Sequence, residues 1–213
     1  LYIELFLEYF CAAYFVWRFE KKRNISLTTE VFGKHWDDET WHEVLLLITG
    51  MIEPEYVGEI LEYLIIQDGE EKKFINLFLA AKCLVEMRHR SKIRTVANKL
   101  LNQLKDLIKY DLWYYYRPTY DDEEIQLVQE IRTQAVTAIA TTWQEDSTKT
   151  LLLQLATAKD VDSDVRVTAV AQLAQAYKDD STKTLLLQLA TAKDVDSDVR
   201  DDSSGTISPG LQG

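Results

Sequence analysis

The strongest constraint on this chain is a repeat: Asp146 to Arg166, DSTKTLLLQLATAKDVDSDVR, recurs without a change as Asp180 to Arg200, a period of 34 residues. Thirty-four residues before Val165-Arg166-x-x-Ala169-Val170 stands Ile131-Arg132-x-x-Ala135-Val136, a diverged third copy in the same register. A looser match, Ile93-Arg94-x-x-Ala97, extends the pattern upstream. Such a period marks an array of small supersecondary units, and 21 identical residues point to recent duplication of the coding segment. Each unit spells two helices. Ser147 or Thr148 is placed to open the first, with Leu151, Leu152, Leu155 and Ala156 on one face. Asp162 or Ser163 opens the second, with Val165, Ala169, Leu173, Ala174 and Tyr177 at helical spacing. Neither helix can bury its stripe alone, so the units are expected to stack as an α-solenoid.

Composition agrees. Only 7 Gly and 3 Pro occur in 213 residues, too few breakers for many hairpins, and no period-2 alternation of strand length is present. The expected fold class is all-α. Helical stripes are predicted over Trp41 to Met51, Glu55 to Ile66, Lys72 to Met87, Lys92 to Tyr110 and Glu124 to Trp143. Asp37-Asp38 and Glu53-Pro54 supply helix starts. The apolar first stretch, Leu1 to Phe19, contains Glu4, Glu8 and Arg18 and is read as a core helix rather than a signal or membrane segment. As the chain opens on Leu1 rather than Met, it is expected to be a fragment of something longer or to have a processed start. Three regions are expected: irregular helices over 1–120, repeats over 121–200, and a disordered tail over 201–213. After Arg200 the second helix of the last repeat is replaced by DDSSGTISPGLQG. This would leave Leu185, Leu186 and Leu189 uncovered, open to fraying or self-association.

The net charge of −11 opposes nucleic acid and anionic membranes. One segment departs from it: Lys82 to Lys109 carries Lys82, Arg88, Arg90, Lys92, Arg94, Lys99, Lys105 and Lys109 against Glu86 and Asp106. Its acidic neighbour, Glu53 to Lys72, makes charge-complementary helix faces the simpler account, so no nucleic-acid partner is expected. Cys11 and Cys83 sit in apolar helical patterns at no metal-like spacing, which fits buried thiols in a reducing, cytoplasmic setting. His35, His42 and His89 do not form a one-face i, i+4 pair, and no metal site is assigned. Neither an activated Ser or Cys motif nor a G-x-x-x-x-G-K-[ST] loop occurs, and Gly33-Lys34 lacks the glycine spacing and the hydroxyl residue of such a loop. No enzyme activity and no cofactor are expected of these residues. Candidate partner-binding groups are Tyr114, Tyr115, Tyr116 and Arg117, in the densest aromatic cluster. A polar strip of Thr168, Gln172 and Gln175, continued one period earlier by Gln134 and Thr141, is a second candidate.

The second-helix pattern D-x-D-V-R-x-x-A-V-x-x-L resembles the HEAT repeat family. That resemblance implies linkage between neighbouring repeats by Asp164 and Arg166, and in register by Glu130, Arg132, Asp198 and Arg200. It also implies that the second helices, with the polar strip, line a concave side. Phe6-Leu7-Glu8-Tyr9-Phe10-Cys11-Ala12-Ala13 resembles the F-x-E-Y-x-A-A helix that follows the nucleotide-binding module of NACHT-type signalling ATPases. Tyr14 to Phe19 and Trp41 to Leu47 are similar to the stretch that continues such proteins, notably bacterial ones, though Ile3 stands where that family commonly has a His. The likeness spans roughly residues 1 to 50. It implies a non-catalytic sensor or autoregulatory region, in bacteria part of defence signalling, whose ATP site lies in a module upstream of Leu1. The partner would be that module or another protein. A stand-alone HEAT scaffold is the alternative, and a HEAT-built lyase acting on a bilin is a third.

Overall fold

A computed structural model describes residues 2–87, 89–112 and 121–191. Every regular element among them is helical, so the fold is all-α. The chain divides into two compact units, Leu1–Leu104 and Lys105–Gly213.

The first unit opens with α1 (Tyr2–Trp17), followed by π-helical segments Arg18–Lys22 and Leu27–Phe32, a short α2 (Gly33–His35) and a 3-10 turn Glu39–Trp41. Then come α3 (His42–Met51), α4 (Pro54–Ile65), α5 (Ile75–Glu86) and α6 (Arg94–Leu107), the last of which runs across the boundary between the units. Local chemistry sets these starts. Asp38 accepts a hydrogen bond from the Thr40 amide at 3.0 Å and so caps the 3-10 turn, and Pro54 occupies the first turn of α4, where a missing N–H costs nothing. Helix α3 packs against α1 and α5, and α5 also against α4. Phe32, Leu45, Ile48, Leu61, Leu64, Leu79, Leu84 and Leu100 fill this core.

The predicted helix from Lys72 needs correction, because α5 begins at Ile75. Lys73 and Phe74 are left-handed, at φ 54° and 59°. A 3-10 turn, Glu70–Lys72, precedes them, and the Phe74 amide closes back on the Gly69 carbonyl at 2.7 Å. The cause lies one residue into α5: buried Asn76 donates its amide to the Leu64 and Gln67 carbonyls, at 2.9 and 3.1 Å, tying the end of α4 to α5. Gly69 lies so close to the Asn76 Oδ1 that a Cβ has no room there.

The second unit contains α7 (Asp122–Thr142), α8 (Asp146–Thr157), α9 (Ser163–Ala176) and α10 (Asp180–Thr191). Asp121 and Glu124 form a reciprocal capping box at the start of α7. Asp162 caps α9 as expected, accepting from the Asp164 amide at 3.0 Å. The first helix of the exact repeat opens at Asp146 rather than at Ser147 or Thr148. Glu145 holds its N-cap position and Thr148 is buried instead. Helix α9 packs against α7, α8 and α10, and α7 against α8, so helices one period apart meet directly. Ile131, Ala135, Val136, Ile139, Leu152, Val165, Ala169, Val170 and Leu173 make the seam.

Two further expectations change. Leu186 is not uncovered: α10 packs on α9 and leaves it 3% exposed. Nor is the first stretch a core helix, since among the described side chains of α1 only Ala12 and Val16 are buried. The side chains of Leu185 and Leu189 and all of 201–213 lie outside the described residues.

Candidate interaction surfaces

The repeat presents one sequence in two settings. Helices α8 and α10 are identical residue for residue, and Leu152 and Leu186 are both buried. Their neighbours differ: Leu153 is half-buried, whereas its counterpart Leu187 is 50% exposed. Lys149 differs most. Its Nζ lies 2.8 Å from Asp179 Oδ2 and 5.9 Å from the centre of the Tyr177 ring, leaving the side chain 20% exposed. The Tyr177 hydroxyl donates to the Glu145 carbonyl at 3.1 Å. Burial, then the charges of Asp146 and Glu145, push the Tyr177 phenol above its ordinary range. In the next copy Lys183 is 61% exposed and pairs only locally, with Asp180 at 3.6 Å.

Charges assigned to linkage occupy distinct positions. Arg132 Nε donates to the Tyr110 carbonyl at 2.7 Å, and its guanidinium lies 3.9 Å from Asp111, so it ties α7 to the segment after α6. Glu130 accepts from Gln134 within α7 at 3.2 Å. Asp164 and Arg166 are half-buried near the start of α9. Asp198 and Arg200 lie outside the described residues, as do Tyr114, Tyr115, Tyr116 and Arg117.

Within the polar strip, Gln134, Thr141 and Gln175 are exposed, while Thr168 and Gln172 are half-buried. The Thr141 hydroxyl donates to the Thr137 and Ala138 carbonyls of its own helix. In the basic segment, Lys92 meets Glu55 of α4 at 2.9 Å. That hydrogen bond is the first cause holding the Glu55 carboxyl below, and the Lys92 ammonium above, its usual range.

His35 stacks on Trp41 at 3.7 Å, and His42 shares a hydrogen bond with the Trp36 carbonyl at 3.0 Å. Among the described residues no group of three His, Cys, Asp or Glu side chains is placed to hold a metal ion. A cavity of about 130 Å³ lies in the first unit between the end of α3 and Glu86, Met87 and His89. It is well below the several hundred Å³ of a typical small-molecule site. Cys83 is fully enclosed and its thiol is pushed up to about 12, chiefly by burial, with a hydrogen bond involving Thr49 acting in the opposite direction.

The surface that the sequence reading missed is on α1. Ile3, Leu5, Phe6, Leu7, Tyr9, Phe10, Tyr14 and Trp17 are all between 47% and 76% exposed. A helix apolar on nearly every side ordinarily signals burial, so its pattern alone pointed inward. Among the described residues no helix is long and apolar enough to cross a membrane. No family model, curated protein or solved structure matches the chain.

Proposed function

We propose that the chain is a non-catalytic recognition or autoregulatory region of a cytoplasmic NACHT-like signalling ATPase, built as a HEAT-like solenoid. One coincidence carries the reading: the F-x-E-Y-x-A-A-like pattern, Phe6 to Ala13, stands on α1, and an array of period 34 follows it in the same chain. The direct packing of α7 on α9, helices one period apart, supports a stacked array. In such a receptor the array holds the nucleotide module closed. A trigger favours the open form by as much as its contacts differ between the two states.

The test is to sequence the reading frame on both sides of this chain. The proposal expects a G-x-x-x-x-G-K-[ST] loop upstream of Leu1 and an Ala-Val-x-x-Leu helix after a further repeat downstream. ATP turnover by the upstream module should then rise when the array is deleted. An initiator Met directly before Leu1, with no such loop, would end the switch reading in favour of an independent protein-binding scaffold.

A further inference from the structure

Five exposed side chains of α1, Ile3, Leu7, Phe10, Tyr14 and Trp17, follow a 4-3-4-3 spacing, with Phe6 beside them. A mean spacing of 3.5 residues draws a nearly straight seam along a helix, the pattern that receives the side chains of another helix. These six residues expose on the order of 800 Å², more than the few hundred Å² of apolar patch that monomers commonly show and about one partner's share of a standard interface. The C-terminal end of the seam is also held ready. Tyr14 and Trp17 stack at 6.3 Å, Arg18 lies over the Tyr14 ring, and Lys22 over the Trp17 ring at 5.1 Å. Side chains already fixed lose less entropy when a partner arrives.

Charge selects the partner and its direction. Glu4 and Glu8 fall in the first half of α1, while Arg18, Lys21, Lys22 and Arg23 follow its end. Two parallel copies would set like charges side by side. Two antiparallel copies centred on Phe10 bring position 4 of one, an acid, within a turn of position 18 of the other, a base, and oppose their helix dipoles. The spacing is nearly symmetric about Phe10, with Ile3 and Trp17 seven residues to either side, as a two-fold contact requires. An anionic membrane is a poorer fit, because acids interrupt the helix and the whole chain carries −11.

We propose that this seam docks a second copy of the chain, α1 against α1, antiparallel about a two-fold axis at Phe10. The inference concerns this chain alone and stands apart from any upstream module. Sedimentation equilibrium of the 213-residue chain from about 0.5 to 50 µM should show a dimer, and Phe10→Glu should raise its dissociation constant at least about 30-fold. Phe10 is 63% exposed, so folding is not at stake, and Ile66→Glu, at a 68% exposed site outside α1, should leave the dimer intact. Direction is read by oxidation in a Cys11→Ser background: Phe10→Cys should cross-link two copies and Ile3→Cys should not. A monomer at every concentration, equal loss with Ile66→Glu, or cross-linking at position 3 instead of 10 would overturn the proposal. So would a monomer that sediments with vesicles containing phosphatidylserine.

Discussion

Glu145 and Asp179 occupy equivalent positions before identical helices, and one methylene decides what each can do. Asp179 accepts from the Thr182 amide at 3.0 Å and also receives Lys149, so it caps α10 and joins it to α8. Glu145, in extended backbone, makes no side-chain cap. Glu145→Asp should therefore stabilise the second unit by about 0.5–1 kcal/mol, and Asp179→Ala should cost about 1–2 kcal/mol. Urea unfolding followed by circular dichroism measures both, and a destabilising Glu145→Asp would refute the capping account. Cys83 gives a second residue-level test, in pH. Its folded pKa of about 12 lies above the ordinary value of 9.0, so above pH 9 the unfolded chain loses a proton that the folded chain keeps. Stability then falls as pH rises from about 9 toward 12, by at most about 1.4 kcal/mol per pH unit. Cys83→Ala should flatten that part of the curve, and an unchanged slope would place the titration elsewhere.

At the scale of elements, the seam between helices one period apart is the part most sensitive to a single atom group. Ala169 is fully buried where α9 meets its neighbours, and its counterpart Ala135 in α7 is equally enclosed. Ala169→Asp places a carboxylate in this fully buried seam, which should cost on the order of 3–5 kcal/mol. A thermal melt unchanged by this substitution would show that the register from Ile131 to Val165 is wrong. The helices themselves were legible because their stripes are periodic and their starts carry caps: Asp162 and Pro54 mark α9 and α4 within a residue. The start of α5 was not legible. Phe74 fits the helical stripe by spacing, but the tie from Asn76 to the end of α4 makes the chain turn through two left-handed residues first, and no local pattern reports a contact of that range.

For the whole molecule, the same distinction separates what sequence conveys from what it withholds. The repeat of 34 announced an all-α architecture, since identical segments must solve their burial in similar ways. Yet identical sequence does not fix identical surroundings, as Lys149 and Lys183 show. The apolar stretch at the start was misjudged for a related reason: apolar composition says that a surface seeks cover, not that this chain supplies it. Charge is the property that sequence conveys best at this scale. The 35 carboxylates against 24 lysines and arginines repel one another in the folded chain more than in the expanded one. Exposed pairs such as Lys92 with Glu55, Lys72 with Asp37 and Lys183 with Asp180 contribute little and are screened by salt. Self-repulsion should therefore dominate, and raising sodium chloride from about 20 to 200 mM at pH 7 should raise the melting temperature, because the Debye length falls from about 20 Å to below 10 Å. A melting temperature that drops instead would mean that local ion pairs such as Lys149 with Asp179 outweigh the net field, and Lys149→Met should then remove most of the drop.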